Sequence, residues 1–405
     1  MTGGDQPMEA GPDAGPDAGP DGARALTGAA VFDGDRLHEG VALVLRAGRI
    51  AAMVPQDRLP HGTPATRLRG GILAPGFVDL QVNGGGGIQF NDDPSVAALR
   101  AIAAAHAGLG ATTILPTLIT DTPARTRAAI DAALAAVADG VPGIAGLHLE
   151  GPHLSLARKG AHDPALIRPM DAGDLALIAD AARRLPALMV TVAAESVTPG
   201  QVRALADAGA IVSLGHSDAG FDAAAALAGA GARCVTHLFN AMSQLGNREP
   251  GLAGAALATG TLDCGIIADG IHVHPQMLAL ALRAKQGPGA LFLVSDAMAP
   301  AGTALDHFHL NGRRIDRRDG RLTLADGTLA GADLDLATAI ATIRAAGAGT
   351  GTALAMATAI PARVIGHATA GHLRPGAPAD IVHLGADGRL AAVWHDGRPV
   401  AAAPG

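Results

Sequence analysis

From residue 74 onward the chain alternates short apolar, β-branched runs with longer Ala-rich stretches of helical character. Eight runs read as strands: LAPGFVDLQVN, ATTILPTLIT, GIAGLHLE, ALMVTVAAE, AIVSLGH, RCVTH, CGIIADG and LFLVSD. Such short runs with few charges suit parallel strands buried on both faces. Stretches such as DPSVAALRAIAAAHAGLG and TPARTRAAIDAALAAVADG lie between them and predict helices. Eight strand–helix units over residues 74–369 predict an α/β fold of the (β/α)8 TIM-like barrel type. The competing open, doubly wound sheet lacks its Gly-x-Gly-x-x-Gly turn after the first strand. GGGG at 84–87 has the wrong spacing and no Walker lysine. It is expected instead to let the backbone turn sharply over a pocket.

On either side of this region the texture changes. ALTGAAVFDG, GVALVLRAGRI and AAMVP near the start, and ADIVHLGADGRLAAVWHDGRPV near the end, are short strand patterns broken by Gly and Asp turns. They predict one small β-sandwich domain built from both termini, residues 25–73 and 370–405, with the barrel inserted between them. Residues 1–24 repeat a Gly-Pro-Asp-Ala unit with almost no bulky apolar side chain. That composition cannot offset the entropy of ordering and predicts a disordered tail.

Composition narrows the function classes. A net charge of −7 speaks against a phosphate-backbone partner. With 7 Phe, 1 Trp and 0 Tyr, the chain offers few aromatic faces for stacking bases, so no nucleic-acid partner is expected. No apolar run is long enough to span a membrane, and the start lacks a secretory pattern, so a cytoplasmic location is expected. Cys234 and Cys264 lie in apolar runs and read as small buried hydrophobes.

The candidate chemistry sits where the strands end. The first closes with Gln81 and Asn83, the second with Thr117 and Thr120, and the third with Glu150. The fifth closes with His216, the sixth with His237, the seventh with Asp269 and nearby His272, and the eighth with Asp296. In a closed barrel these ends share one mouth, so groups far apart in sequence converge. Glu150, His216 and His237 form a His2Glu set suited to a divalent, zinc-like ion with an open position. Asp296 then stands across the mouth as general base and acid for an ion-activated water.

PGFVDLQVNGGGGIQFND, HLEGPHLS, KGAHDP, LGHSDA, THLFNAM, NREPGLAG, IIADGIHVHP and LVSDAMAPAG resemble the N-acetylglucosamine-6-phosphate deacetylases of the amidohydrolase superfamily. The resemblance runs from about residue 27 to 400. It implies hydrolysis of the acetamido group of a phosphorylated amino sugar. Glu150, His216 and His237 match the family's metal ligands, and Asp296 its base and acid. His162, in KGAHDP, matches a histidine that contacts the substrate and polarises the amide carbonyl. Asn240, Ala241 and His272 match sugar-phosphate contacts, with Ala161 and Asp269 counted beside them. Leu329, Ala330 and Gly331 match a backbone segment that touches the sugar. Arg248 matches an arginine that reaches the phosphate in a neighbouring subunit, implying a homodimer.

Two departures matter. Many amidohydrolases carry His-x-His at the end of the first strand, where this chain has Gln81 and Asn83. Amides are weak metal ligands, so one tightly bound divalent ion per subunit is expected, zinc first and iron, cobalt or manganese as alternatives. IPAR at 360–363 replaces a common Asn-Pro-Ala-Arg, away from the chemistry. The rivals are a deacetylase for the galacto epimer, a cyclic-amide hydrolase, and a catalytically dead barrel used as a scaffold.

Overall fold

The computed structural model describes residues 22–401. Eight strands succeed one another in chain order within one parallel sheet: Phe77–Val82, Ala111–Ile119, Leu147–Glu150, Leu188–Val192, Ile211–Leu214, Cys234–Val235, Asp263–Ile266 and Leu291–Leu293. Beyond the eighth strand, Ala297 bridges to Val82 in parallel and its carbonyl accepts from the Asn83 amide at 2.8 Å. The sheet therefore nearly closes on itself, and the expected barrel is the one observed.

Local chemistry explains the helices around it. Ser95 accepts from the Ala98 amide at the start of Val96–Gly108. Thr122 caps Pro123–Ala138, with proline in the first turn where its missing N–H costs nothing. Thr198 and Gln201 form a reciprocal capping box on Pro199–Asp207. Every residue of the first four strands is buried, as a sheet covered by helices requires. Cys234 and Cys264 lie buried on adjacent strands, and burial pushes the Cys264 thiol up to about 12. Both are structural.

Strands from both ends of the chain share one sheet, because Ile72–Pro75 pairs antiparallel with Ile381–Leu384. That sheet has six strands, and a second has four, in the order Arg49–Pro55, Val41–Arg46, Ala23–Thr27 and Ala65–Arg67. Leu26, Leu43, Ile50, Leu73, Ile381 and Trp394 contribute to their common core. The tail expected over residues 1–24 lies outside the described residues as far as position 21. Its end needs correcting, since Ala23 and Arg24 already pair with Arg46 and Leu45 in a strand.

A further element was absent from the strand pattern read above. After the eighth strand the chain forms a four-stranded antiparallel meander, His307–Leu310, Arg313–Arg318, Arg321–Thr323 and Leu329–Ala332. Phe308, Leu310, Ile315 and Leu322 pack with Ile119 and Met298, which anchors the meander over the mouth of the barrel. Its last strand returns to the start of the excursion, where the Ala332 amide donates to the Asp296 carbonyl at 2.9 Å. Gly331 has φ +73°, and a Cβ there would lie 2.4 Å from Met298 Cγ, so this close approach needs glycine. Among the described residues no helix is long and apolar enough to cross a membrane.

Candidate active site

Glu150 ends the third strand, His216 and His237 follow the fifth and sixth, and Asp296 follows the eighth. His216, His237 and Asp296 have φ values of +47°, +30° and +50°. Side chains other than glycine seldom adopt this region, and such strain collects where a fold must aim a functional group. Here each strand turns sharply as it leaves the sheet and delivers its polar side chain into the barrel mouth.

Three ligand atoms converge. Glu150 Oε1 lies 3.3 Å from His216 Nε2 and 3.0 Å from His237 Nε2, and the two imidazole nitrogens are 3.0 Å apart. All three side chains are at most 6% exposed. His216 Nδ1 lies 2.8 Å from the Arg158 carbonyl, which can only accept, so Nδ1 carries the proton and Nε2 presents a lone pair. One proton on His237 Nε2 can serve only one of Glu150 Oε1 and the His216 Nε2 lone pair, whereas a divalent cation satisfies all three atoms at once. Tetrahedral bonds of about 2.0–2.1 Å place neighbouring ligand atoms roughly 3.3 Å apart, close to the observed spacing. This buried His/His/Glu set can hold a divalent metal ion.

Glu150, His162 and His216 also bring one ligand atom each within 4.8 Å of one another. That set is the poorer fit. His162 Nε2 stands 4.0 Å from Glu150 Oε2, and the Thr120 amide donates to His162 Nδ1 at 3.3 Å. Nδ1 is therefore an acceptor, and the neutral ring carries its proton on Nε2. Burial foremost, with the neighbouring imidazole of His216 adding to it, pushes His162 down to about 3 and keeps it neutral. It is a hydrogen-bond donor aimed at the site.

The two amides of the first strand hold Asp296. Asn83 Nδ2 donates to Asp296 Oδ1 at 2.7 Å, and Gln81 Nε2 reaches both that oxygen at 3.2 Å and Glu150 Oε1 at 3.1 Å. Burial, and then the negative charge of Glu150, push the Asp296 carboxyl up to about 6. Burial would also raise Glu150, but the His216 and His237 imidazoles outweigh it and hold that carboxyl well below its usual range. Two carboxyls thus face one site with opposite proton affinities, which separates an anionic ligand from a group able to exchange a proton. Deeper in the barrel Asp79 is 1% exposed, and burial pushes it up to about 7 against the opposing hydrogen bonds from Ser295 and Gln81.

Below the ligands lies a polar layer that reading the strand ends did not reveal. His148 Nδ1 lies 3.0 Å from the Leu80 carbonyl, and its Nε2 lies 2.7 Å from Thr191 Oγ1. The hydroxyls continue from Thr191 to Thr236 at 2.6 Å and from Thr236 to Ser213 at 2.7 Å. With Nδ1 donating to the carbonyl, each hydroxyl donates toward His148, which gives the chain one direction.

The mouth opens into a cavity of about 510 Å³, a size suited to a small polar metabolite. Glu150, His162, His216, His237 and Asp296 line it. So do Ala161, Asn240, Ala241 and His272, and, from the meander, Leu329, Ala330 and Gly331. Asp269 stands behind this lining. Its carboxylate accepts from the Ile271 and His272 amides at 2.8 and 2.7 Å and lies 2.5 Å from His272 Nδ1, so it orients His272. Arg248 is exposed and does not line the cavity of its own chain. Nor does the glycine run, where Gly84–Gly85 pairs with Ile88–Gln89 as a tight hairpin packed on the loop after the eighth strand.

A nearly closed parallel barrel, with a His/His/Glu set and a second buried carboxyl at the strand ends, has the make-up of a metal-dependent hydrolase. The amidohydrolase family profile matches residues 72–400, and the chain belongs to that family. It is 42% identical over 82% of its length to an N-acetylgalactosamine-6-phosphate deacetylase of Shewanella sp. (strain ANA-3), covering 84% of that protein. It is 34% identical over 74% of its length to an N-acetylglucosamine-6-phosphate deacetylase of Haemophilus influenzae, covering 78% of it. Among solved structures, the N-acetylglucosamine-6-phosphate deacetylase of Pasteurella multocida superposes with a TM-score of 0.88 at 32% identity, covering 93% of this chain and 99% of that one.

Proposed function

We propose that this chain hydrolyses the N-acetyl group of N-acetyl-D-glucosamine 6-phosphate, releasing acetate and D-glucosamine 6-phosphate. The observation that carries the reading is the convergence of Glu150, His216 and His237 opposite the amide-held Asp296 at the head of one cavity. The similarity to deacetylases of both amino-sugar phosphates supports the substrate class.

Glu150, His216 and His237 would hold a divalent ion, zinc in the first instance with iron, cobalt or manganese as alternatives, which would supply Lewis acidity and acidify a bound water. Asp296 accepts the proton of the attacking water through its carboxylate and passes it to the departing amine nitrogen. Its Oδ1 is held by Asn83 and Gln81, which keeps that proton transfer in a fixed direction. His162 donates its Nε2 proton in a hydrogen bond to the carbonyl oxygen as negative charge develops there. Asn240, Ala241, His272 and the 329–331 backbone hold the sugar phosphate, and Arg248 reaches it from the second subunit of a homodimer. Contacts remote from the amide fix its approach to the water.

A second reading takes the galacto epimer as substrate, and the 42% identity to the Shewanella enzyme favours it. An acetate-release assay on both 6-phosphates and on unphosphorylated N-acetylglucosamine, with metal counted in parallel, tests both. Faster turnover of the gluco phosphate supports the proposal, and a preference for its epimer selects the second reading. No acetate from either phosphate overturns both.

A further inference from the structure

The substrate class proposed above is a dianion, yet the cavity carries the carboxylates of Glu150 and Asp296. Arg248 is exposed and does not line the cavity of its own chain. Among the described residues lining the cavity, Arg158 is the one lysine or arginine. Its side chain is 38% exposed, and its Nε donates to Asp218 Oδ1 at 2.7 Å. No hydrogen bond engages its two terminal nitrogens among the described residues.

The pairing with Asp218 is anchored. The Asp218 amide donates to Glu195 Oε1 at 2.6 Å, and the hydroxyl of Ser217 donates to Glu195 Oε2 at 2.6 Å. Ser217 bridges in parallel to Met242, which sets this loop beside the segment holding Asn240 and Ala241. The Arg158 carbonyl meanwhile accepts from His216, so the backbone of Arg158 is fixed to the metal-ligand shell. A carboxylate on Nε leaves the two-pronged edge of the guanidinium free, and that edge is the one that grips a phosphate with two parallel hydrogen bonds. As a mere surface ion pair, Arg158–Asp218 contributes little to stability.

We infer that Arg158 is a specificity-determining residue that binds the phosphate of the substrate from within the same chain, alongside the 240–241 segment. The inference rests on the deacetylase reading and deepens it. It assigns two cationic contacts to one phosphate, Arg158 in cis and Arg248 from the second copy.

The test compares kcat/KM for acetate release from N-acetylglucosamine 6-phosphate and from N-acetylglucosamine, in the wild type, R158Q and R158K. Inhibition by inorganic phosphate is measured beside it. The expected result for R158Q is a loss of at least about tenfold in the ratio of the two kcat/KM values, carried by KM for the phosphorylated sugar. Phosphate inhibition weakens by a similar factor, and R158K recovers part of both because it restores charge without the fork. An active wild type whose ratio and phosphate inhibition are unchanged in R158Q overturns this inference alone. A wild type that releases no acetate from either epimer's phosphate overturns the deacetylase reading and this inference with it.

Discussion

Replacing Asp296 by asparagine isolates its proton chemistry from its shape. The asparagine carbonyl can still accept from Asn83 Nδ2 and Gln81 Nε2, which now reach Asp296 Oδ1 at 2.7 and 3.2 Å. The three ion-binding residues are untouched, so metal content is expected to stay at the wild-type value. On the proposed mechanism the loss is of an acid–base group that acts twice in each turnover, and one such group contributes about 10²–10⁴ in rate. A fall in kcat of about 10³-fold is expected. The wild type should also show an acid limb. In the ion-free site burial and the Glu150 charge push this carboxyl up to about 6, and a bound cation opposes them, so kcat/KM is expected to fall between about pH 6 and 4. The direction follows from the sign of the shift: an unperturbed aspartate would hold its activity down to about pH 4. The assay is acetate release from pH 4.5 to 8, with metal analysis of both proteins. Asp296→Asn activity within tenfold of wild type would refute the assignment, and the absence of any acid limb down to pH 4.5 would refute the account of the environment.

Metal analysis of fresh protein should give about one ion per chain, because Gln81 and Asn83 are occupied with Glu150 and Asp296; two tight ions would overturn that expectation. Mixing Arg248→Ala with Asp296→Asn chains in equal amounts, under subunit exchange, should recover about one quarter of wild-type activity. Half of such dimers are mixed, and one of their two sites combines an intact Asp296 with a partner's arginine; no recovery counts against the shared site. In metal-stripped protein, Asp79 at about 7 holds a proton in the folded chain that the unfolded chain releases near 4. Its stabilising contribution is complete below pH 4 and is lost as pH rises to 7, by up to about 4 kcal/mol. Asp79→Asn should flatten that slope in denaturant melts at pH 5 and 8, and an unchanged slope would refute it.

The barrel was legible because its strands are buried on both faces, so apolar runs separated by Ala-rich helices leave few alternatives. The set able to hold an ion was legible for a related reason: Glu150, His216 and His237 are polar residues that abruptly end apolar runs. Two parts escaped. The meander is coded by alternation within a heavily charged stretch, where Phe308, Leu310 and Ile315 turn inward between polar neighbours. Its Asn-Gly and Asp-Gly turns were the available signal, and Asn311, Gly312, Asp319 and Gly320 all have positive φ as tight hairpin turns require. The contact between Arg158 and the cavity was hidden because it depends on a loop carrying only a short 3-10 turn, Leu156–Arg158. No periodicity orients a side chain there. Arg248 shows the opposite case: the motif match marks it, while a single chain leaves it outside its own cavity.

The meander leaves the barrel and returns to it at nearly the same place, with Ala297 bridging both Val82 and Ala332. It is therefore a detour clasped at its base, and its far turn at Asp319 and Gly320 can change length without moving the clasp. Within such a plan, the ceiling of the cavity and the floor that can hold an ion are able to diversify separately. Changes in the 327–331 wall can thus reshape the cavity while the strand ends that present Glu150, His216 and His237 are inherited intact.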